Sequence, residues 1–371
     1  MDGTDPIVCP RCQGPLRQRD DRWSCRACGS VYRGLRGVPD LRTGDDLYLA
    51  NHADWEFALR LNEDYDRLDF RGLLERYFDL SPEIPADLRR RQIAHILTGP
   101  ERFSEHLDDC VTLRCLISWS RVLDLGCGTG SVLLSLASRP YDLDGFEEER
   151  PLYGVDIAMR WLLVARKRLD EAGHSHVRLV CGCAEAQPFR SQSFGGLIGG
   201  DVIEHVGDQL ATLAEAHRIL KPWGRLFLAT PNRFSLAPEP HVQVWGVGFL
   251  PRRWMSAYVF WKRRVDFRAI RTLNYVEWKR LLRRSPFGGG VVSAPGLSES
   301  EVVEFAPFKR TLARLYNLAV AGYGRWLALA FGPLYHIHCR RSGEEVQAPT
   351  SSPAPHQYSR PSTARVSSAG S

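Results

Sequence analysis

No stretch of this sequence reads as a membrane span. The longest apolar run toward the C-terminal end, Leu315 to Tyr335, is broken by Arg325 and by Gly322, Gly324, Gly332 and Pro333. A spanning helix needs about 20 largely uninterrupted apolar residues. The first residues, MDGTDPIVCPRC, lack a basic stretch leading into an apolar core, so no signal peptide is expected. A secreted disulfide framework is missing as well. Four of the ten cysteines sit in two CxxC pairs, and Cys110, Cys115, Cys127, Cys181, Cys183 and Cys339 form no spaced set. A reducing, cytoplasmic setting follows as the expectation. Strong charge of one sign is also absent: Lys+Arg 49 against Asp+Glu 43 leaves +6 over 371 residues, which is far from histone-like. There is no internal repeat. The 44% hydrophobic and 25% charged content excludes disorder, collagen or coiled coil as the whole answer.

What is present divides into five segments. Residues 1–42 are rich in Cys, Gly and Arg and too short to hold a core unaided. Residues 43–115 carry helical spacing, as in FALRLNEDYDRLDFRGLLERYF. From residue 116 to 235 short apolar strands alternate with helices: RVLDLG, YGVDI, VRLVCG, FGGLIGGDV and GRLFLATPN are the strands. That alternation predicts an α/β fold with a parallel sheet covered on both faces. Residues 236–341 are rich in aromatics and arginine and hold the last strands, GGVVSAPG and PLYHIHCRR, while 342–371 is a Ser/Pro/Ala tail expected to stay disordered.

The most informative stretch is Val122 to Gly130, VLDLGCGTG, followed directly by the helical SVLLSLAS. Glycines at 126, 128 and 130 let the backbone turn sharply and approach a ligand. A dinucleotide loop would need glycine at 131, where this chain has Ser131. The spacing instead resembles motif I of the class I S-adenosylmethionine (SAM)-dependent methyltransferases. That resemblance implies a seven-stranded, mostly parallel Rossmann-like sheet, with Asp124, Gly126, Cys127, Gly128 and Gly130 around the methionine half of SAM. YGVDI ends in Asp156, followed by Ile157, where an acidic group can accept from both ribose hydroxyls. CGCAEAQPF resembles the family's segment around adenine, with Cys183 in place of the usual acidic residue. Adenine contact would then fall to Ala184 or Glu185. FGGLIGGDVIEHV and HRILKPWGRLFLATPN resemble the fourth and fifth strands, with Trp223 replacing a glycine.

Methyl transfer is an in-line displacement, so positioning dominates, and an oxygen acceptor also needs help losing its proton. The Asn/Asp-Pro-Pro-aromatic element used on amines is absent; Gly199-Gly200-Asp201-Val202 stands there. The expected chemistry is therefore O-directed, with His205 and Asp201 as catalytic candidates. The order Asp201-x-x-Glu204-His205 resembles the metal turn of ubiquinone-biosynthesis O-methyltransferases and small-RNA 2′-O-methyltransferases, which implies a divalent ion held by Asp201, Glu204 and His205.

Two further segments bear on partners. Cys9-Pro-Arg-Cys12 and Cys25-Arg-Ala-Cys28, 12 residues apart, pair four thiolates with no open position, the pattern of a structural Zn²⁺ site. The surrounding text resembles the zinc-ribbon activator of tRNA, rRNA and release-factor methyltransferases. Between Arg252 and Arg284 eleven Lys/Arg and seven aromatics meet only two acids. Such a cap suits RNA, a membrane interface contacted through 252–331, or its own packing. The leading expectation is a methyltransferase acting on a small or lipid-linked biosynthetic molecule, cytoplasmic or peripheral at a membrane. An RNA methyltransferase and a non-catalytic SAM-binding subunit are the alternatives.

Overall fold

A computed structural model describes residues 5–109, 121–139, 151–297, 307–322 and 324–343, with the short pieces 142–143, 146–147 and 302. Cys110, Cys115 and nearly all of the Ser/Pro/Ala tail lie outside the described residues. The N-terminal segment folds as four antiparallel strands in sequence order: β1 (Leu16–Arg19), β2 (Arg22–Cys25), β3 (Val31–Leu35) and β4 (Val38–Pro39). Trp23, fully buried, is its one large core side chain. The ribbon is not a separate bead. The Val8 N–H donates to Pro188 O and that of Leu41 to Cys181 O, and Ile7, Leu16 and Trp23 share one apolar cluster with the main sheet. So small a unit gains the burial it lacks by borrowing a neighbour's core.

Four helices follow: α1 (Asn51–Asp64), α2 (Phe70–Asp79), α3 (Ala86–Leu97) and α4 (Gly99–Asp109). Asp69 caps α2 by accepting from the Gly72 N–H at 2.7 Å. The main sheet comprises β5 (Val122–Leu125), β6 (Leu152–Asp156), β7 (Arg178–Cys181), β8 (Phe194–Gly200), β9 (Leu220–Pro231), β10 (Val291–Ser293) and β11 (Leu334–Arg340). Its spatial order is β10-β11-β9-β8-β5-β6-β7, and β11 runs antiparallel to both its neighbours. β5 is buried at every position, as expected for a strand covered on two faces. Helices α5 (Ser131–Ala137), α6 (Met159–Glu171) and α7 (Gln209–Ile219) connect the strands. Trp223 holds φ +66°, a conformation that favours glycine, with the Arg340 guanidinium 4.6 Å from its ring centroid.

Beyond β9 come α8 (Arg252–Arg263), α9 (Tyr275–Arg284), α10 (Pro307–Ala321) and α11 (Arg325–Phe331). Helices α10 and α11 are separate, and Gly322 and Gly324 lie between them. Among the described residues no helix is long and apolar enough to cross a membrane.

One buried charge joins three of these parts. Asp54 on α1, 0% exposed, accepts from Arg42 Nη1 at 2.7 Å, from Arg160 Nη1 at 2.6 Å and from the Met159 N–H at 3.0 Å. It thereby caps α6 from another element, since Ala158 offers no side-chain cap. Removing one partner of a buried ion cluster leaves the others unpaired, so Asp54→Ala should cost about 3–5 kcal/mol. Denaturant unfolding of the two proteins checks this, and a loss below about 1 kcal/mol would contradict it.

Candidate active site

The loop after β5 forms an open cradle. Gly126, Gly128 and Gly130 all have positive φ, at +70°, +47° and +75°. A Cβ at Gly126 would collide with Val202, whereas one at Gly128 would meet nothing within 4 Å: that side of the loop is open space. Asp156, at the end of β6, pins this loop. Its Oδ2 accepts from the Gly128 N–H at 2.9 Å and its Oδ1 from the Ala158 N–H at 2.8 Å. Asp124 is 2% exposed and its Oδ2 has no hydrogen-bond partner. Burial, and the nearby Asp156 carboxylate, push its pKa up to about 8. An orphaned buried carboxyl beside an open glycine cradle fits a ligand carrying an ammonium group, as the methionine half of SAM does.

The flanking candidates have more local partners. Cys127 is buried, and its N–H donates to Val155 O. Ile157 O accepts from Arg42, which ties the adenine side of the site to the ribbon's exit. Cys183 is buried with its Sγ 3.6 Å from Gly44 O, and Ala184 O accepts from Gln187 Nε2 at 3.4 Å. Glu185 is committed to the turn before α7: its Oε1 accepts from the N–H of Gly207 and of Asp208.

The turn after β8 is more densely built than its sequence suggests. Asp201 sits exposed at φ +49°, with its N–H donating to Ala229 O. Glu204 is fully buried; its Oε2 accepts from the Thr230 hydroxyl at 2.9 Å, and its Oε1, without a hydrogen-bond partner, lies 3.8 Å from His241 Nε2 as an ion pair. His205 shares one hydrogen bond with the Tyr48 hydroxyl through Nδ1 and another with His241 through Nε2, the two ring nitrogens 2.9 Å apart. The Nδ1 of His241 lies 2.6 Å from Glu239 Oε1. A chain of four groups results: Tyr48, His205, His241, Glu239. Burial and the neighbouring His241 lower the His205 pKa to about 3, so its ring is neutral. Burial also opposes charge on His241, but the hydrogen bond and charge of Glu239, with Glu204 and Asp201 nearby, outweigh it and raise the pKa to about 9.

The ligand-capable atoms of Glu204, His205 and His241 lie within 4.8 Å of one another. The structure thus brings together Glu204 and His205 of the expected metal trio, with His241 in the place foreseen for Asp201. Tyr48, Glu239 and His241 carried no local signal; they come from loops 157 and about 35 residues away in sequence. Only the fold brings them to the turn.

At the other end of the chain the thiols of Cys9, Cys12, Cys25 and Cys28 also lie within 4.8 Å of one another. Cys9 and Cys28 are separated by 3.7 Å and Cys12 and Cys25 by 3.4 Å. Zn–S bonds of about 2.3 Å in a tetrahedron put sulfurs about 3.8 Å apart, so the donor set fits zinc.

Residues 123–228 match the family model described as a methyltransferase domain. The α/β core is a SAM-dependent methyltransferase domain. Its sheet is the class I methyltransferase, Rossmann-like fold. The chain is 29% identical over 184 residues to the ubiquinone/menaquinone biosynthesis C-methyltransferase UbiE of Coxiella burnetii, covering 46% of this chain and 71% of that one. It is 26% identical over 142 residues to the demethylmenaquinone methyltransferase of Anoxybacillus flavithermus, covering 34% and 57%. Among solved structures, the Haemonchus contortus phosphoethanolamine N-methyltransferase 2 aligns over 60% of this chain and 49% of its own, at 17% identity and a TM-score of 0.39.

Two outcomes follow for this methyltransferase. At pH 7 Asp124 holds a proton that an arriving ammonium should expel, because a nearby cation favours the carboxylate. Calorimetry of SAM binding in buffers of different ionisation enthalpy should therefore show proton release in the native protein and none in Asp124→Asn. Equal release by both would remove Asp124 from the site. Elemental analysis should find one zinc per chain, lost in Cys9→Ser or Cys25→Ser.

Proposed function

We propose that this methyltransferase acts on a phenolic or quinol ring of a small or lipid-linked molecule, with Tyr48 and His205 receiving the acceptor's hydroxyl proton. The observation that carries this reading is the hydrogen-bonded chain Tyr48–His205–His241–Glu239, whose outer end, Tyr48, is half exposed while its inner end is tied into the protein. Bound SAM supplies an electrophilic methyl group in line with the attacking atom. The chain's own residues do the rest. His205 takes the proton, directly or through Tyr48, as His241 gives its own Nδ1 proton to Glu239, so that the imidazole pair carries one positive charge throughout. Loss of that proton makes the ring oxygen, and the carbon beside it, nucleophilic. If carbon attacks, the ring regains its aromaticity when the base returns its proton to the ring oxygen and, then free, takes the proton from that carbon.

The expected O-directed chemistry finds no support, because a base of this kind serves oxygen and carbon alike. The relatives named for quinone biosynthesis are C-methyltransferases, which favours carbon. They also favour a small acceptor over RNA. A second reading has its own observation: the ligand atoms of Glu204, His205 and His241 lie within 4.8 Å of one another, and Glu204 Oε1 accepts no hydrogen bond, which would suit a divalent ion that lowers the acceptor's pKa. The four ribbon thiolates would hold zinc in a structural role, away from the reaction.

Incubation with SAM and prenylated hydroquinones, with product position read by mass spectrometry, tests the acceptor. Transfer to RNA or to amines alone would refute it. Tyr48→Phe and His205→Ala should each lower kcat by about 10²-fold or more with SAM affinity unchanged. Abolition of turnover by a chelator, restored by Mg²⁺ or Mn²⁺ and absent in Glu204→Gln, would favour the second reading over the proton chain alone.

A further inference from the structure

Helix α10 is inverted for a helix facing water. Its polar Asn317 points inward, donating to and accepting from the Leu297 backbone, and the Tyr316 hydroxyl donates to Pro295 O at 2.8 Å. Leu312, Leu315 and Leu318 face outward at 50, 56 and 69% exposure. Trp326 on α11, at 65%, does the same. Helix α8 is apolar on both sides. Met255 and Val259 pack inward in a small cluster with Val242, Val244 and Phe267. Outward it presents Trp254, Tyr258 and Trp261, whose spacing places them on one stripe.

These surfaces are stitched into one. The Leu236 N–H donates to Phe331 O at the end of α11, Trp245 Nε1 donates to Leu236 O, and the Tyr258 hydroxyl donates to Trp245 O. Adjoining elements, α11, the 236–245 loop and α8, thus each carry large exposed apolar side chains, Trp326, Trp245, Trp254 and Trp261 among them, where scattered single residues are the norm.

We propose that this face docks on an anionic lipid surface. Charge argues for it. Residues 245–264 hold five Lys/Arg and no acid; Arg252 and Arg263 pair with Glu277 and Asp87, and Arg253, Lys262 and Arg264 are exposed, while residues 307–331 hold four Lys/Arg and no acid. The cations lie on the aromatics themselves: Arg253 sits 5.1 Å from the Trp254 ring centroid, Lys262 4.3 Å from that of Trp261 and Arg264 5.4 Å from that of Phe260. Rings with a cation on one face suit the boundary between acyl chains and acidic headgroups, where the ring inserts and the charge stays wet. Outward leucines serve acyl chains and offer nothing to a nucleobase, which needs a flat stacking partner. With no spanning helix among the described residues, the protein would lie in the interface plane. The 236–245 loop also carries Glu239 and His241, so docking would set the mouth of the site against the membrane.

Sedimentation of the full chain with phosphatidylcholine vesicles, with and without phosphatidylglycerol, tests the proposal. Vesicles containing phosphatidylglycerol should carry the protein down, and acyl-brominated lipid should quench tryptophan fluorescence. The pairs Trp254→Ser with Trp261→Ser, and Leu315→Ser with Leu318→Ser, should each reduce partitioning about tenfold or more while SAM affinity and melting temperature hold. Absence of vesicle binding, binding indifferent to these substitutions, or salt-steep retention by RNA in its place would overturn it. Binding is measured without turnover, so its failure and that of the quinol reading are separable.

Discussion

The buried Asp54 carboxylate is the interaction on which the site's geometry rests. It holds Arg42 at the exit of the ribbon and Arg160 and the N-terminus of α6 just beyond Asp156, and Asp46 joins through Arg160 at 3.4 Å. A desolvated cluster of this kind adds little net stability over an apolar replacement, but it tolerates only one arrangement of its members. Here that arrangement sets where β6 ends, and so where Asp156 meets the glycine loop. It also fixes the 43–50 loop, which carries Gly44 toward Cys183 and Tyr48 toward His205. The ribbon and α1 are thus parts of the cofactor site's frame.

The two halves of the site differ in how they are stabilised. The proposed SAM side is backbone: positive-φ glycines, an amide pinned by Asp156 and an unpartnered carboxyl oxygen at Asp124. The proposed acceptor side is a line of side chains drawn from the 43–50 loop, the turn after β8 and the 236–245 loop. Each imidazole there is held from both ends, which fixes ring orientation without a rigid backbone beneath it. Division of this kind leaves the cofactor side constant in design while the acceptor side answers to the cap.

The cap has the opposite problem from the core. Its inner cluster of Val242, Val244, Val247, Met255, Val259 and Phe267 is small, and much of its apolar surface remains outside. Inversion of α10 follows from Asn317, whose amide bonds the Leu297 backbone on both sides and so orients the helix with its leucines out. A polar group satisfied inside is worth more than a leucine buried there only if the leucines have somewhere else to go.

The sequence by itself determined the α/β core with its glycine loop, and it marked Asp124, Asp156 and the two cysteine pairs as candidates. Each of these is a local pattern, a strand running into a turn or ligands spaced on one loop, and short-range geometry suffices to read it. Only the tertiary structure decided the rest. That Glu185 also holds the turn before α7 was not legible, because that turn is close to it in space and not in sequence. Asp201 shares the local order of a metal turn, but the residues whose ligand atoms cluster are Glu204, His205 and His241, the last arriving from the cap. Tyr48 and Glu239 had no motif to mark them. Which side of α10 faces in was equally closed to the sequence, since apolar residues surround most of that helix and one inward hydrogen-bonded amide, that of Asn317, settles its rotation.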